Sequence, residues 1–204
     1  MIRIHNAVIV NEGKQFAGSV VIDNGIIREV LEEGKQPSQA CDEEVDAKGC
    51  YLIPGVIDDH VHFRDPGLTH KADMASETAA AAAGGVTSFM DMPNCNPQTT
   101  TLEALNAKFE DAATKCVVNY SFYFGATNNN VHVLKELDKT RVCGVKLFMG
   151  ASTGNMLVDR MEALRKIFSE AGMLIATHCE DQNTIRENTE RFRQEYGEDP
   201  DITC

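Results

Sequence analysis

From Tyr51 onward, apolar runs alternate with helix-forming runs, and no other feature of the chain constrains its fold as tightly. Strand candidates are Leu52 to Val61, Val86 to Met90, Val117 to Phe124, Val142 to Phe148 and Met173 to His178. Helix candidates are Asp73 to Ala83, Thr101 to Thr114, Asn129 to Leu137, Val158 to Glu170 and Asp181 to Tyr196. The alanines from Ala79 to Ala83 favour a helix, and Gly84-Gly85 supplies its stop. Strand-helix repetition with short loops implies a parallel sheet, either open or closed into a barrel. A closed (β/α)8 barrel needs eight strands and about 250 residues, whereas about five βα units can be read here. The expected class is therefore α/β: an incomplete (β/α)8 TIM-type barrel over residues 54–204, the front portion of a longer protein. A self-sufficient open sheet is the alternative.

Residues 1–53 read differently, as a small β-sandwich segment with strands at Ile2 to Val10, Ser19 to Ile22 and Ile26 to Leu31. Asp23-Asn24-Gly25 between the last two is a hairpin signal, because Asn and Gly both tolerate positive φ. The hairpin edges need a partner from this segment or from a later one.

Composition narrows the function classes. A net charge of −12 argues against a nucleic-acid surface or an anionic membrane as partner, yet leaves room for an anionic small molecule bound by a local cation. Seven cysteines, odd in number and without a Cys-x-x-Cys pair, fit reduced thiols rather than a disulfide framework. No long apolar leader opens the chain and no run is long enough to span a bilayer, so the cytoplasm is the expected location.

The chemistry concentrates where strands give way to loops, the edge at which α/β active sites assemble. Side chains alternate along a strand, so in Ile57-Asp58-Asp59-His60-Val61-His62-Phe63-Arg64 the residues His60, His62 and Arg64 are expected on one face. The two imidazoles could hold one metal at roughly 2.0–2.1 Å, and the guanidinium suits a planar carboxylate. Two histidines two apart can equally well decorate a polar strand. Lys146, with apolar neighbours, is costly to bury as an ammonium; it is either a strand-end lysine reaching solvent or a neutral amine able to take up carbon dioxide as a carbamate. His178 ends an apolar run and fits either a ligand or a hydrogen-bonded core histidine. Asn94, in the turn Asp91-Met92-Pro93-Asn94, offers a donor and an acceptor.

The run Asp59-His60-Val61-His62-Phe63-Arg64-Asp65-Pro66-Gly67 resembles the dihydroorotase family of the amidohydrolase superfamily. Thr69-His70-Lys71, Ala80 to Thr87 and Met92-Pro93-Asn94 carry the same resemblance, which covers most of residues 50–182. It implies a zinc-dependent cyclic amidohydrolase that interconverts L-dihydroorotate and N-carbamoyl-L-aspartate in pyrimidine synthesis through a metal-activated bridging hydroxide. By the same resemblance, His60 and His62 bind one zinc ion, His178 binds a second, and a carbamate on Lys146 bridges them. Arg64 and Asn94 hold the substrate carboxylate, and Asp58 orients an imidazole from behind. The catalytic aspartate is expected beyond Cys204, so none is assigned in this chain. The expected partner is a small molecule carrying a carboxylate, and the expected assembly a homodimer. Allantoinase and dihydropyrimidinase are the neighbouring alternatives; a non-catalytic homologue acting as a binding partner is the alternative from another class.

Overall fold

A computed structural model describes residues 1–150 and 155–198. The chain divides into two compact units, Met1–Gly55 and Val56–Cys204. The first is one mixed sheet built from β1 (Ile2–Asn11), β2 (Lys14–Asp23), β3 (Ile26–Glu32), β4 (Glu43–Asp46) and β5 (Tyr51–Leu52). The strand order is β3-β2-β1-β4, and β5 also pairs with β1. Asn24 and Gly25 both have positive φ, 49° and 76°, as the expected hairpin requires. The edge of β1 is covered from within the unit, by parallel pairing with β4 and β5. Ala7, Ile9 and Val20 form its small core with Phe16 and Leu52 against them.

The strand expected over Leu52 to Val61 is broken at residues 53–55 into β5 and β6 (Val56–Val61). Pro54 has no N–H for a ladder, which is a physical reason for the break. In the second unit β6 is followed by α1 (Met74–Ala83), β7 (Val86–Asp91), α2 (Leu102–Lys115), β8 (Asn119–Gly125), β9 (Gly144–Phe148), α3 (Met161–Glu170), β10 (Ile175–His178) and α4 (Gln182–Tyr196). The five strands lie in sequential order, all parallel, which is the order of one arc of a (β/α) barrel. One face packs on the helices: Phe89, Phe122, Phe124, Val145 and Leu147 are buried in one cluster with Met74, Leu105, Phe109, Ala112 and Ile167.

Two helix expectations are corrected. Residues Asn129 to Leu137 hold a 3-10 segment, Val131–Glu136, rather than an α-helix. Asn130 spends its side chain on Thr127 N–H and on the Thr100 and Gly125 carbonyls, leaving a six-residue run with two valines to close on its own. The third helix begins at Met161, not Val158, because Val158 is fully buried and its N–H donates to the Phe148 carbonyl.

Candidate active site

The end of β6 is fastened to the end of β7. Val61 pairs with Asp91, the Met92 N–H donates to the Val61 carbonyl at 2.9 Å, and the Phe63 N–H donates to Asp91 Oδ1 at 2.9 Å. Phe63 is buried, its ring 4.6 Å from that of Phe89. The His60 and His62 ring centroids lie 5.3 Å apart and tilted by 52°.

Arg64 reaches this patch by another route than the one expected. The strand ends at Val61, and Arg64 has φ 64°, so strand alternation does not extend to it. A turn brings it back: Arg64 Nη1 donates to the Asn94 carbonyl at 3.2 Å. The same Asn94 accepts, through Oδ1, a 2.8 Å hydrogen bond from His62 Nδ1. That bond fixes the tautomer with the proton on Nδ1 and leaves the Nε2 lone pair available. Burial, the largest influence, holds the imidazole pKa below that of ordinary histidine, opposed by the Asn94 bond. Asp58 does not back an imidazole. Its Oδ1 accepts from the His60 backbone N–H at 3.2 Å, a local turn bond.

Lys146 lies at the centre of β9, whose five residues are all buried. At 2% exposure it is not a strand-end lysine reaching solvent. Among the described residues its amine has no hydrogen bond or ion pair, and the Phe148 ring centroid lies 5.1 Å from Nζ. Burial draws its pKa below the ordinary lysine value, which favours the nucleophilic free amine. His178 pairs with Phe148 in the ladder, its ring 6.0 Å from the Phe148 ring and its Nε2 3.4 Å from Glu180 Oε1. Laterally paired residues of parallel strands share a face, so Lys146, Phe148 and His178 face the same way.

The expected residues thus form two groups: His60, His62, Arg64 and Asn94 at β6 and β7, and Lys146 with His178 at β9 and β10. Tyr123, which the sequence reading passed over, lies between them. It pairs with Gly144, two residues before Lys146, and its hydroxyl donates to the Asp59 carbonyl at 3.2 Å, crossing β7 to reach β6. In a flat sheet those strands would stand about 9.6 Å apart, so the contact requires the sheet to curl toward this face. Gly144 makes room for it, since a Cβ there would sit 2.9 Å from the Tyr123 ring.

Two other residues were missed. Asp91 and Lys108 are each about 1% exposed and ion-paired at 2.6 Å. The available signal was a lysine inside the apolar stripe Leu105, Phe109, Ala112 of α2, where solvent would be out of reach.

The donor chemistry bears on metal binding. Among the described residues no group of three or more His, Cys, Asp or Glu side chains is placed to hold a metal ion. The His60–His62 pair therefore needs further donors, and a carbamate on the unpaired Lys146 amine would provide oxygens of the right kind, with a third imidazole at His178. The residues fit such a centre through their chemistry.

The sequence model of the Amidohydrolase family matches residues 51–202. The chain is 35% identical over 185 residues to a dihydroorotase of Methanosarcina mazei, covering 89% of this chain and 40% of that protein. It is 32% identical over 199 residues to an allantoinase of Deinococcus radiodurans, covering 93% and 43%. Among solved structures, the L-hydantoinase (dihydropyrimidinase) from Arthrobacter aurescens superposes with a TM-score of 0.83 at 25% identity, over 97% of this chain and 45% of that one. The dihydropyrimidinase from Brevibacillus agri gives a TM-score of 0.75 at 30% identity, over 97% and 44%. The chain spans about two fifths of the length of the curated relatives it matches.

Proposed function

This chain belongs to the amidohydrolase family, and from that premise we propose that it serves the hydrolysis of a cyclic amide, as the reversible interconversion of L-dihydroorotate and N-carbamoyl-L-aspartate. The observation that carries the choice of substrate is the clamp beside the histidine pair. Asn94 anchors both His62 and Arg64, so a guanidinium and an amide nitrogen that bonds to none of the described residues sit next to the imidazoles, where a planar carboxylate would be bound.

In this reading His60 and His62 would hold one zinc ion and His178 another, and a carbamate on Lys146 would supply further oxygen donors. Bound metal would polarise the ring carbonyl and lower the pKa of a water. The chain's own part is orientation: Asn94 keeps the His62 Nε2 lone pair exposed, Arg64 fixes the carboxylate, and Tyr123 holds the His60 strand toward Lys146. We further propose a cytoplasmic homodimer without nucleic-acid or membrane partners, the net charge of −12 being what speaks against the last two.

Allantoin or a hydantoin-type ring is the second reading, favoured by the allantoinase relative and the hydantoinase structures. Turnover of dihydroorotate, allantoin and dihydrouracil by the whole protein, with and without Arg64→Met, separates the two. The expected result is activity on dihydroorotate, with KM raised at least about tenfold by the substitution, the loss of one charge-assisted pair. Hydrolysis of the uncharged rings alone, untouched by Arg64→Met, would refute the dihydroorotate assignment.

A further inference from the structure

We infer that the buried Lys108–Asp91 pair is the positioning device of the site, setting the geometry of the His62–Asn94 bond from helix α2. The inference rests on the reading of His62 and Asn94 as site residues. Asp91 divides its carboxylate between two jobs: Oδ1 accepts the Phe63 N–H at 2.9 Å and Oδ2 accepts from Lys108 Nζ at 2.6 Å. Lys108 Nζ donates a second hydrogen bond, to the Met92 carbonyl at 3.2 Å, and lies 4.7 Å over the Phe122 ring. Two peptide groups are thereby fixed by one ion pair. The first joins His62 to Phe63, and the second joins Met92 to Pro93, ahead of Asn94. These two segments are the ones that meet in the 2.8 Å bond between His62 Nδ1 and Asn94 Oδ1.

Packing alone does not call for such a pair. Taking two charges out of water is costly, and apolar residues of similar volume commonly replace a buried ion pair at no loss of stability. What they cannot replace is the directed grip on the Phe63 N–H and the Met92 carbonyl. Neither residue hydrogen-bonds to His60, His62, Arg64 or Asn94, so Lys108 and Asp91 act through the backbone as positioning residues.

The test compares the unaltered 204-residue chain with the double variant Asp91→Leu/Lys108→Met and with Lys108→Arg. Three readouts are taken: thermal midpoint, the His62 tautomer by imidazole 15N NMR, and hydrogen exchange at the Phe63 amide. In the unaltered chain His62 is expected as the Nδ1–H tautomer, with the Phe63 amide as protected as that of Phe89. The double variant should keep a comparable midpoint while the His62 nitrogens shift toward a mixed tautomer and Phe63 protection falls at least tenfold. Lys108→Arg should restore much of both. A double variant that folds with His62 and Phe63 unchanged overturns the inference. If the variants do not fold, the unaltered chain still decides, since a Phe63 amide exchanging at the rate of an exposed loop overturns it too. None of these readouts needs metal, so a failure of the zinc reading, seen as no zinc bound by the unaltered chain, is told apart from a failure of this one.

Discussion

A lysine kept at 2% exposure with no acid to pair with among the described residues is a position where the fold forgoes stability. Lys146 sits among Val145, Leu147 and Phe148, all buried, in a strand that would be satisfied by an apolar side chain. Replacing it with methionine removes the desolvation cost while keeping the volume, so Lys146→Met should raise stability by about 1 kcal/mol or more. Urea denaturation measures that gain. Intact mass under carbon dioxide should at the same time show a carbamate on the unaltered chain and none on the variant. If Lys146→Met is destabilising instead, the amine has a structural partner and its reading as a carbamate site loses its basis. At this scale the sequence was informative for residue type and silent on satisfaction. Lys146 could be flagged from its apolar neighbours, but whether its head reached solvent depended on the strands on either side.

Helix α2 shows which element-level features were legible. Thr101 was expected as the first helical residue and is the N-cap, its hydroxyl accepting from the Ala104 N–H; Asp73 and Asp181 cap α1 and α4 in the same way. Capping chemistry is local, and local chemistry can be read from spacing. The other end of α2 carries long-range bonds that spacing does not reveal. Lys115 donates to Asp111 at 2.7 Å, one turn back, and to Asp65 at 3.0 Å, in the loop that follows Arg64. The hydrogen bond to Asp111 is the main cause that raises its pKa above the ordinary 10.5, with Asp65 adding to it against the opposing effect of burial. A raised folded-state pKa means the ion pairs contribute fully below about pH 10.5 and lose their effect as pH climbs through the higher folded value. Denaturant midpoints between neutral and strongly alkaline pH should therefore fall more steeply for the unaltered chain than for Lys115→Met. Parallel slopes would show that the two carboxylates do not hold the charged form. The strand break at Pro54 and the turn that returns Arg64 to Asn94 belong with these long-range effects. Both were hidden because a hydrophobic run shows where a strand can form, not where its partner stops.

Across the whole molecule, charge and edge chemistry oppose each other. In the parallel sheet β6 and β10 each pair on one side only among the described residues. On β6, Val56 and Ile57 are 46% and 60% exposed, and Leu174 just before β10 is 61% exposed. Unpaired strand edges with exposed apolar side chains are templates for association. The net charge of −12 works against it, since two copies repel at long range. Salt shortens the reach of that repulsion to about 8 Å at physiological ionic strength, while contact between apolar edges is unaffected. Self-association of the chain should therefore increase as salt rises, the reverse of what pairing between opposite charges would give. Ile57→Lys, which places a charge on the β6 edge, should suppress it with little effect on the fold. Light scattering across a salt series, on both proteins, is the measurement. Association that weakens with salt, or that Ile57→Lys leaves untouched, would mean that copies meet through charged surfaces and not through the open edge of this arc.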